Sequence, residues 1–393
     1  MHWANFLHLY QPYDQKPEIL KSIVESSYIP LIKNIKKNNK VSLTLNISGS
    51  LLELLDKYGY GELIGDLKYL GETKQVEFTG SAKYHAFLPL ISEDEIIRQI
   101  HINNETCKHY LGKGYSPKGF FPPEMGYSDK IGKIVSELKY KWIIIDEIAY
   151  NGQSEYVKYD RIYEMKETNL KVFFRERRLS NLIMSAVVRT ANSLKEAMKE
   201  ELNLNRYVLT AMDAETFGHH RPGLENLLFE IFDDREFGLV QISNLLKLYP
   251  EVQKVEPIES TWASSSLDIK NNQQFLSWND KDNIIHKYQH EFVDLVLGEV
   301  SEENRSMMDV ALASDHFWWA SAKPWWSIEM IEFGAHRLLK IIESIPDVDS
   351  KILEKANMYY KKIISTAFEW QREGKITQMQ NAMTNNQRIP FND

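Results

Sequence analysis

Residues 207–220 read Tyr-Val-Leu-Thr-Ala-Met-Asp-Ala-Glu-Thr-Phe-Gly-His-His. Tyr207 to Met212 is short and continuously apolar or β-favouring, which predicts a strand covered on both faces, as in a parallel sheet. The run stops at once on Asp213 and Glu215, so two carboxylates leave a buried strand at its C-terminal end. In parallel α/β folds that end is where loops converge around a crevice and where chemistry is placed.

The same pattern recurs on either side. Short apolar or alternating runs lie at Trp3 to His8, Ser42 to Ile47, Gln75 to Thr79, Gly119 to Pro122, Lys141 to Asp146, Leu170 to Arg175 and Gly238 to Ile242. Between most of them are stretches with helical apolar periodicity: Lys16 to Lys37, Leu51 to Leu70, Glu93 to Leu111, Asp129 to Leu138 and Leu224 to Phe232. This alternation predicts an α/β fold with a parallel sheet and right-handed crossovers. A strand count near eight, without Gly-x-Gly-x-x-Gly or a phosphate loop, favours closure into a TIM-like barrel over an open doubly wound sheet. After about Pro250 the pattern changes. Val252 to Asp282 is polar and irregular, with Trp262 and Trp278 isolated in it, whereas Asn283 to Val300, Glu302 to Ala322, Trp326 to Ser344 and Ser350 to Arg372 have helical spacing. The expected organisation is a barrel over residues 1–260, a helical region over 261–373 and a polar, partly frayed tail over 374–393.

Composition narrows the partners. The 393 residues carry 47 Lys+Arg against 55 Asp+Glu, a net charge of −8, which offers no global attraction to nucleic acid or anionic lipid. No stretch approaches the ~18 apolar residues that span a bilayer, and the N-terminus does not read as a signal peptide. With one cysteine, Cys107, the expected location is the cytoplasm. Nine Trp, 20 Tyr and 17 Phe suit a large core and equally sugar-stacking surfaces.

Polar residues cluster at the strand ends. His8, Gln11 and Pro12 follow the first run, Glu77 lies in the third, Pro122-Pro123-Glu124-Met125 ends the fourth, Asp146 and Glu147 end the fifth, and His219 and His220 follow Asp213. The double proline is expected to hold Glu124 in a rigid extended frame. Asp213 is a candidate acid with a raised pKa, or else a helix N-cap; Asp146 and Glu147 stay open between strand end and function. His286 and His290, four apart, and His219-His220 beside Asp213 invite a zinc or manganese reading, but HExxH is absent and a surface helix face accounts for the pair, so no metal and no cofactor are expected. Trp318, Trp319, Trp325 and Trp326 read as core packing, with sugar stacking as the other reading, while Asp315, embedded among them, needs a partner or a pocket.

Five segments, in order, resemble the sequence regions of glycoside hydrolase family 57: His8-Leu9-Tyr10-Gln11-Pro12, Gln75-Val76-Glu77-Phe78-Thr79-Gly80, Gly119-Phe120-Phe121-Pro122-Pro123-Glu124, Asp213-Ala214-Glu215-Thr216-Phe217-Gly218 and Leu312-Ala313-Ser314-Asp315-His316-Phe317-Trp318-Trp319. The resemblance implies an incomplete (β/α)7 barrel followed by a C-terminal helical bundle, and a retaining enzyme acting on α-1,4-glucans or malto-oligosaccharides. It puts the nucleophile at Glu124 and the acid/base at Asp213, with His8, Glu77, Glu215 and Asp315 at sugar-contacting positions. Gln11, His219, Trp318 and Trp319 complete the expected substrate-binding set. Tyr10 departs from the usual His-x-His-Gln-Pro. Burial and the charge of Glu124 are expected to raise the pKa of Asp213. Hydrolysis of the amylase type and 4-α-glucanotransfer remain open, with two alternatives: a metal-dependent polysaccharide deacetylase and a silent glucan-binding protein.

Overall fold

A computed structural model describes residues 1–234 and 236–387, with side chains to residue 381. Residues 388–393, the end of the expected polar tail, lie outside the described residues. Two compact units divide the chain: Met1–Tyr84 with Leu88–Ser266, and His85–Phe87 with the chain from Leu267 onward.

The first unit is built on strands β1 (His2–Leu9), β2 (Leu43–Ile47), β3 (Val76–Phe78), β4 (Gly119–Phe120), β5 (Trp142–Asp146), β6 (Ile162–Met165), β7 (Lys171–Arg175), β8 (Tyr207–Asp213), β9 (Gly238–Leu239) and β10 (Val252–Val255). One sheet runs β3-β2-β1-β8 and the other β10-β6-β7-β5-β4. Two seams join them. At the first, the Gly80 amide donates to the Gly119 carbonyl and the Phe121 amide to the Gly80 carbonyl, each at 2.9 Å. At the second, the Glu176 amide reaches the Leu209 carbonyl at 2.8 Å, without a ladder between β7 and β8. Strands β1 to β5, β7 and β8 thus form an incomplete seven-stranded parallel ring. Burial on both faces explains why these strands are continuously apolar: β1 exposes only His2 partly, and β2 and β5 are buried throughout.

Register fixes what meets inside the ring. His8 pairs with Asp213 and with Asn46, and two residues deeper Phe6 pairs with Ala211 and Thr44, which in turn pairs with Glu77. Because side chains alternate along a strand, Asp213, His8 and Asn46 share one layer and Phe6, Thr44 and Glu77 the layer beneath. The helix Ile242–Leu248 lies at the opposite end of the strands: the Val240 amide donates to Trp3 O at 3.0 Å and Trp142 Nε1 to Ser243 Oγ at 2.9 Å.

The predicted helix Lys16 to Lys37 is interrupted. Helices Pro17–Ile23 and Ile29–Lys37 flank a wider turn over Val24–Tyr28, just before Pro30, whose missing N–H cannot continue the regular ladder. Strands β6 and β10 are additions to the sequence reading, β6 antiparallel to β7.

The second unit contains helices Ile284–Leu297, Arg305–Ala311, Asp315–Trp318, Ile328–Glu343, Ser350–Arg372 and Lys375–Gln387. The run Glu302 to Ala322, read as one helix, is two short ones. Lys375–Gln387 is helical where a frayed tail was expected. Residues His85–Phe87 thread into this unit: Ala86 bridges Ala313, the Ser314 amide donates to His85 O at 3.2 Å, and Phe87 stacks on Trp278 with centroids 4.3 Å apart.

Candidate active site

Glu124 follows β4 in a short turn, Pro123–Met125, closed by bonds from the Met125 amide to Pro122 O and the Gly126 amide to Pro123 O, both at 2.9 Å. Its backbone is not the extended frame expected from the double proline. Prolines restrict the residue before them, so Pro122 is extended (ψ 133°) while Glu124 takes the left-handed conformation at φ 59°, ψ 15°. A non-glycine residue is held there only where its surroundings over-determine it. One such restraint is Trp262, whose Nε1 donates to Glu124 Oε2 at 2.8 Å and whose amide donates to Glu124 O at 3.3 Å.

Asp213 ends β8 as expected, and it caps no helix with its side chain. Burial pushes its carboxyl above the usual range, while the Arg175 guanidinium pulls it down. The acid that neighbours it electrostatically is Glu215, where the sequence reading had invoked Glu124. Glu215 is also raised, by burial first and then by the charge of Asp213. Its Oε1 accepts from Gln11 Nε2 at 2.8 Å and from the Tyr28 hydroxyl. The wide turn Val24–Tyr28 makes this possible. It also lets Ser27 Oγ donate to Ala214 O at 2.9 Å and puts Ser26 Oγ 3.3 Å from His219 Nδ1. Gly218, at φ 98°, packs so closely here that a Cβ would lie 2.0 Å from Ser26 O.

His8 is buried, with Nδ1 2.8 Å from Asn46 Oδ1, and Asn46 Nδ2 donates to Thr79 Oγ1 at 3.1 Å. This relay, assigned from the hydrogen-bond network, puts the His8 proton on Nδ1, and burial lowers its pKa to about 4, so the ring is neutral. Tyr10 stacks on it, centroids 5.9 Å apart and planes within 10°. Phe121, next to Pro122, lies 4.7 Å from the His8 ring, so His8 stands between the Asp213 strand and the Glu124 turn.

The structure gives Glu77 a deeper place than the sequence implied and gives Asp146 and Glu147, left open by the sequence, definite partners. Glu77, expected at a sugar-contacting position, sits one layer deeper, where its carboxylate accepts from the Ser243 hydroxyl, from Ser243 N at 3.1 Å and from Thr44 Oγ1 at 3.4 Å. Asp146 and Glu147 are structural partners. Asp146 is fully buried between Arg175 (Nη1, 3.0 Å) and Arg177 (Nη2, 2.7 Å), and Glu147 accepts from the Arg177 and Glu155 amides. Arg175 also donates to Ala211 O at 2.8 Å, and Arg177 to Ser264 O at 2.8 Å and Trp262 O at 3.2 Å.

In the second unit, Asp315 opens the short helix Asp315–Trp318, and Trp318, Trp319 and Trp325 form a partly exposed cluster in which Trp318 stacks on Trp325 at 4.6 Å. His286 is not on a surface face but fully buried, accepting from the Asp280 amide at 3.0 Å and bonding Phe317 O at 2.9 Å; His290 bonds Trp278 O at 3.0 Å. Among the described residues no cluster of three or more His, Cys, Asp or Glu could hold a metal ion, and no helix is long and apolar enough to cross a membrane.

Comparison with known proteins decides the family. The family model "Glycosyl hydrolase family 57" matches residues 3–256. The chain belongs to glycosyl hydrolase family 57. Within this family its fold is similar to that of the 4-α-glucanotransferase from Thermococcus litoralis, with a TM-score of 0.70 and 16% identity over 89% of this chain and 60% of that one. The family 57 branching enzyme from Thermococcus kodakaraensis superposes with a TM-score of 0.64 and 17% identity, over 93% of this chain and 96% of that chain. In sequence, a 1,4-α-glucan branching enzyme of Thermococcus kodakarensis is 31% identical over 153 residues, 32% of this chain and 22% of that protein. An α-amylase of Niallia circulans is 28% identical over 85 residues, 21% of this chain and 7% of that protein. The chain therefore spans less than two thirds of the glucanotransferase and of both sequence relatives.

The residues that sequence reasoning missed are Tyr28, Arg175, Arg177 and Trp262. Trp262 carried a signal, as a lone indole in a polar stretch; the others sit in runs that read as ordinary helix or strand end.

Proposed function

We propose that this family 57 chain is a retaining enzyme of α-1,4-glucans, with Glu124 as nucleophile and Asp213 as general acid/base. The observation that carries this is the contrast between two strand-end carboxyls of one barrel. Glu124 receives a donor-only indole N–H, which favours its ionised form, whereas Asp213 is desolvated, which favours its protonated form.

In the first step a Glu124 oxygen attacks the anomeric carbon, the bond from that carbon to the glycosidic oxygen breaks, and Asp213 gives its proton to the departing oxygen. A glycosyl ester of Glu124 results. In the second step Asp213 takes a proton from the incoming hydroxyl, whose oxygen displaces Glu124 and restores the original anomeric configuration. Water as acceptor gives hydrolysis, and a sugar 4-hydroxyl gives glucanotransfer. His8, Gln11, Glu215 and His219 surround this step as sugar contacts or their supports, Asp315, Trp318 and Trp319 serve as glucan contacts, and Glu77 supports the barrel interior.

Purified protein incubated with maltoheptaose tests the reading. Products both longer and shorter than the substrate are expected for a transferase, and short products with matching new reducing ends for a hydrolase. Glu124→Gln and Asp213→Asn are each expected to lower turnover by at least ~10³ without loss of folding. Near-normal turnover in either folded variant overturns the assignment.

A further inference from the structure

Residues 259–265 form a strap beside the Glu124 turn. Tyr127 N donates to Ser260 O at 2.8 Å and Ser260 N to Tyr127 O at 3.3 Å, so the strap is tied to the backbone three residues beyond Glu124. Its own turn is closed by Thr261 N to Ser264 Oγ and Ala263 N to Thr261 Oγ1, both at 2.9 Å. The far side is gripped by one guanidinium. Arg177 binds the Trp262 and Ser264 carbonyls, and is itself fixed by Asp146 Oδ1 through Nε at 2.9 Å and Nη2 at 2.7 Å. Asp146 is in turn paired with Arg175, which is anchored on the Ala211 carbonyl of the Asp213 strand.

We propose that Trp262 is the positioning residue of Glu124 and that Arg177, held by Asp146, acts on the reaction through Trp262. The proposal rests on Glu124 being the nucleophile. A carboxylate offers two oxygens, and a donor fixed on one of them sets how the other is presented. The indole is such a donor: it can only donate, it binds one named oxygen, and the same residue's amide binds the Glu124 carbonyl, so one residue contacts both side chain and backbone. An indole can do this only while its loop is fixed, and the loop carbonyls that Arg177 binds supply the fixing. Arg is suited to the task because its planar fork engages two carbonyls and a carboxylate at once, which an ammonium cannot do with the same geometry. The arrangement also links the two reacting acids through a chain of charge-assisted bonds from Arg175 to Trp262.

The test uses the whole 393-residue chain, maltoheptaose and an aryl α-maltoside with a good leaving group. Trp262→Phe keeps an apolar ring and loses the N–H. Its expected effect is a kcat roughly 10- to 100-fold lower with KM little changed, and a burst amplitude that still counts every site as competent. Arg177→Lys is expected to change kcat in the same direction by less. The double variant is expected to be no worse than Trp262→Phe alone, because the two residues act in series. A raised KM at unchanged kcat would make Trp262 a sugar platform only and overturns the proposal. Multiplying effects in the double variant, or a kcat loss matched by a lost burst amplitude and a lowered Tm, overturn it as well. Should Trp262→Phe fail to fold, Arg177→Lys decides: a fold-neutral fall in kcat supports the proposal and an unchanged kcat overturns it. Glu124→Gln separates the two levels. If that variant stays active, the proposed function fails; if it is inactive while Trp262→Phe is normal, only the positioning role fails.

Discussion

Asp213 and Glu215 are two buried carboxyls whose charges oppose each other, so they titrate as a pair and hold a proton between them near neutrality. Where that proton sits decides whether Asp213 can act as an acid. Gln11 Nε2 can only donate, and it and the Tyr28 hydroxyl converge on the same oxygen of Glu215, which pulls Glu215 down toward Asp213, although burial and the charge of Asp213 still hold it at about 8 against about 6 for Asp213. The alkaline limb of kcat/KM is therefore expected above the ordinary carboxylate range of about 4, since activity is lost as pH rises through the raised Asp213 value. Tyr28→Phe removes a donor from Glu215. Glu215 then holds the shared proton more tightly, Asp213 is the member that gives its proton up first, and the alkaline limb moves to lower pH. A pH profile of Tyr28→Phe that overlays the parent's would show that the hydroxyl does not set the proton's place.

The wide turn at Val24–Tyr28 is the element that brings Tyr28, Ser27 and Ser26 onto the Asp213 loop, and Gly218 is where the loop yields to it. Gly218→Ala has to accommodate a Cβ 2.0 Å from a carbonyl oxygen on a backbone at φ 98°. A lower Tm is expected, by the equivalent of roughly 1–3 kcal/mol or more, together with lost activity because Glu215 lies three residues away. Equal melting curves and activity for variant and parent would refute this account of the turn. From sequence the stretch was legible as a helix, since apolar spacing persists through it, but periodicity does not register one inserted residue in a turn. The barrel strands were legible because burial on both faces leaves continuous apolar runs, as in Trp142 to Ile145. Strand β10 was not, since Val252 and Lys254 are exposed and its composition is that of a loop. The same contrast holds at the site. Strand-end acids announce themselves at Asp213 and Glu124, whereas Trp262 and Arg177 matter through contacts across 85 residues of chain, which no local pattern encodes.

At the scale of the molecule the two units carry opposite buried titrations. In the barrel, burial raises Glu77, Glu147, Glu215 and Asp213, and lifts Glu176 to about 7, with His8, lowered to about 4, as an opposing group. Carboxyls raised in the folded state take up protons before the unfolded chain does, so acidification from neutrality strengthens the fold they belong to. In the helical unit burial lowers His286 to about 4, His316 to about 3, and His290. There the unfolded chain binds protons from about pH 6.5 downward while the folded unit does not until about 4, so stability is lost across that window. Hydrogen exchange followed from pH 7 to 5, corrected for intrinsic rates, is expected to show the helical unit losing protection relative to the barrel; a relative gain would contradict it. His85–Phe87 are three residues that complete a unit otherwise built from residue 267 onward. A recombination breakpoint placed at residue 266 would hand the downstream partner a Trp278 without Phe87 and an Ala313 without Ala86. A swap between relatives therefore has to carry the small insert along with the helices that it serves.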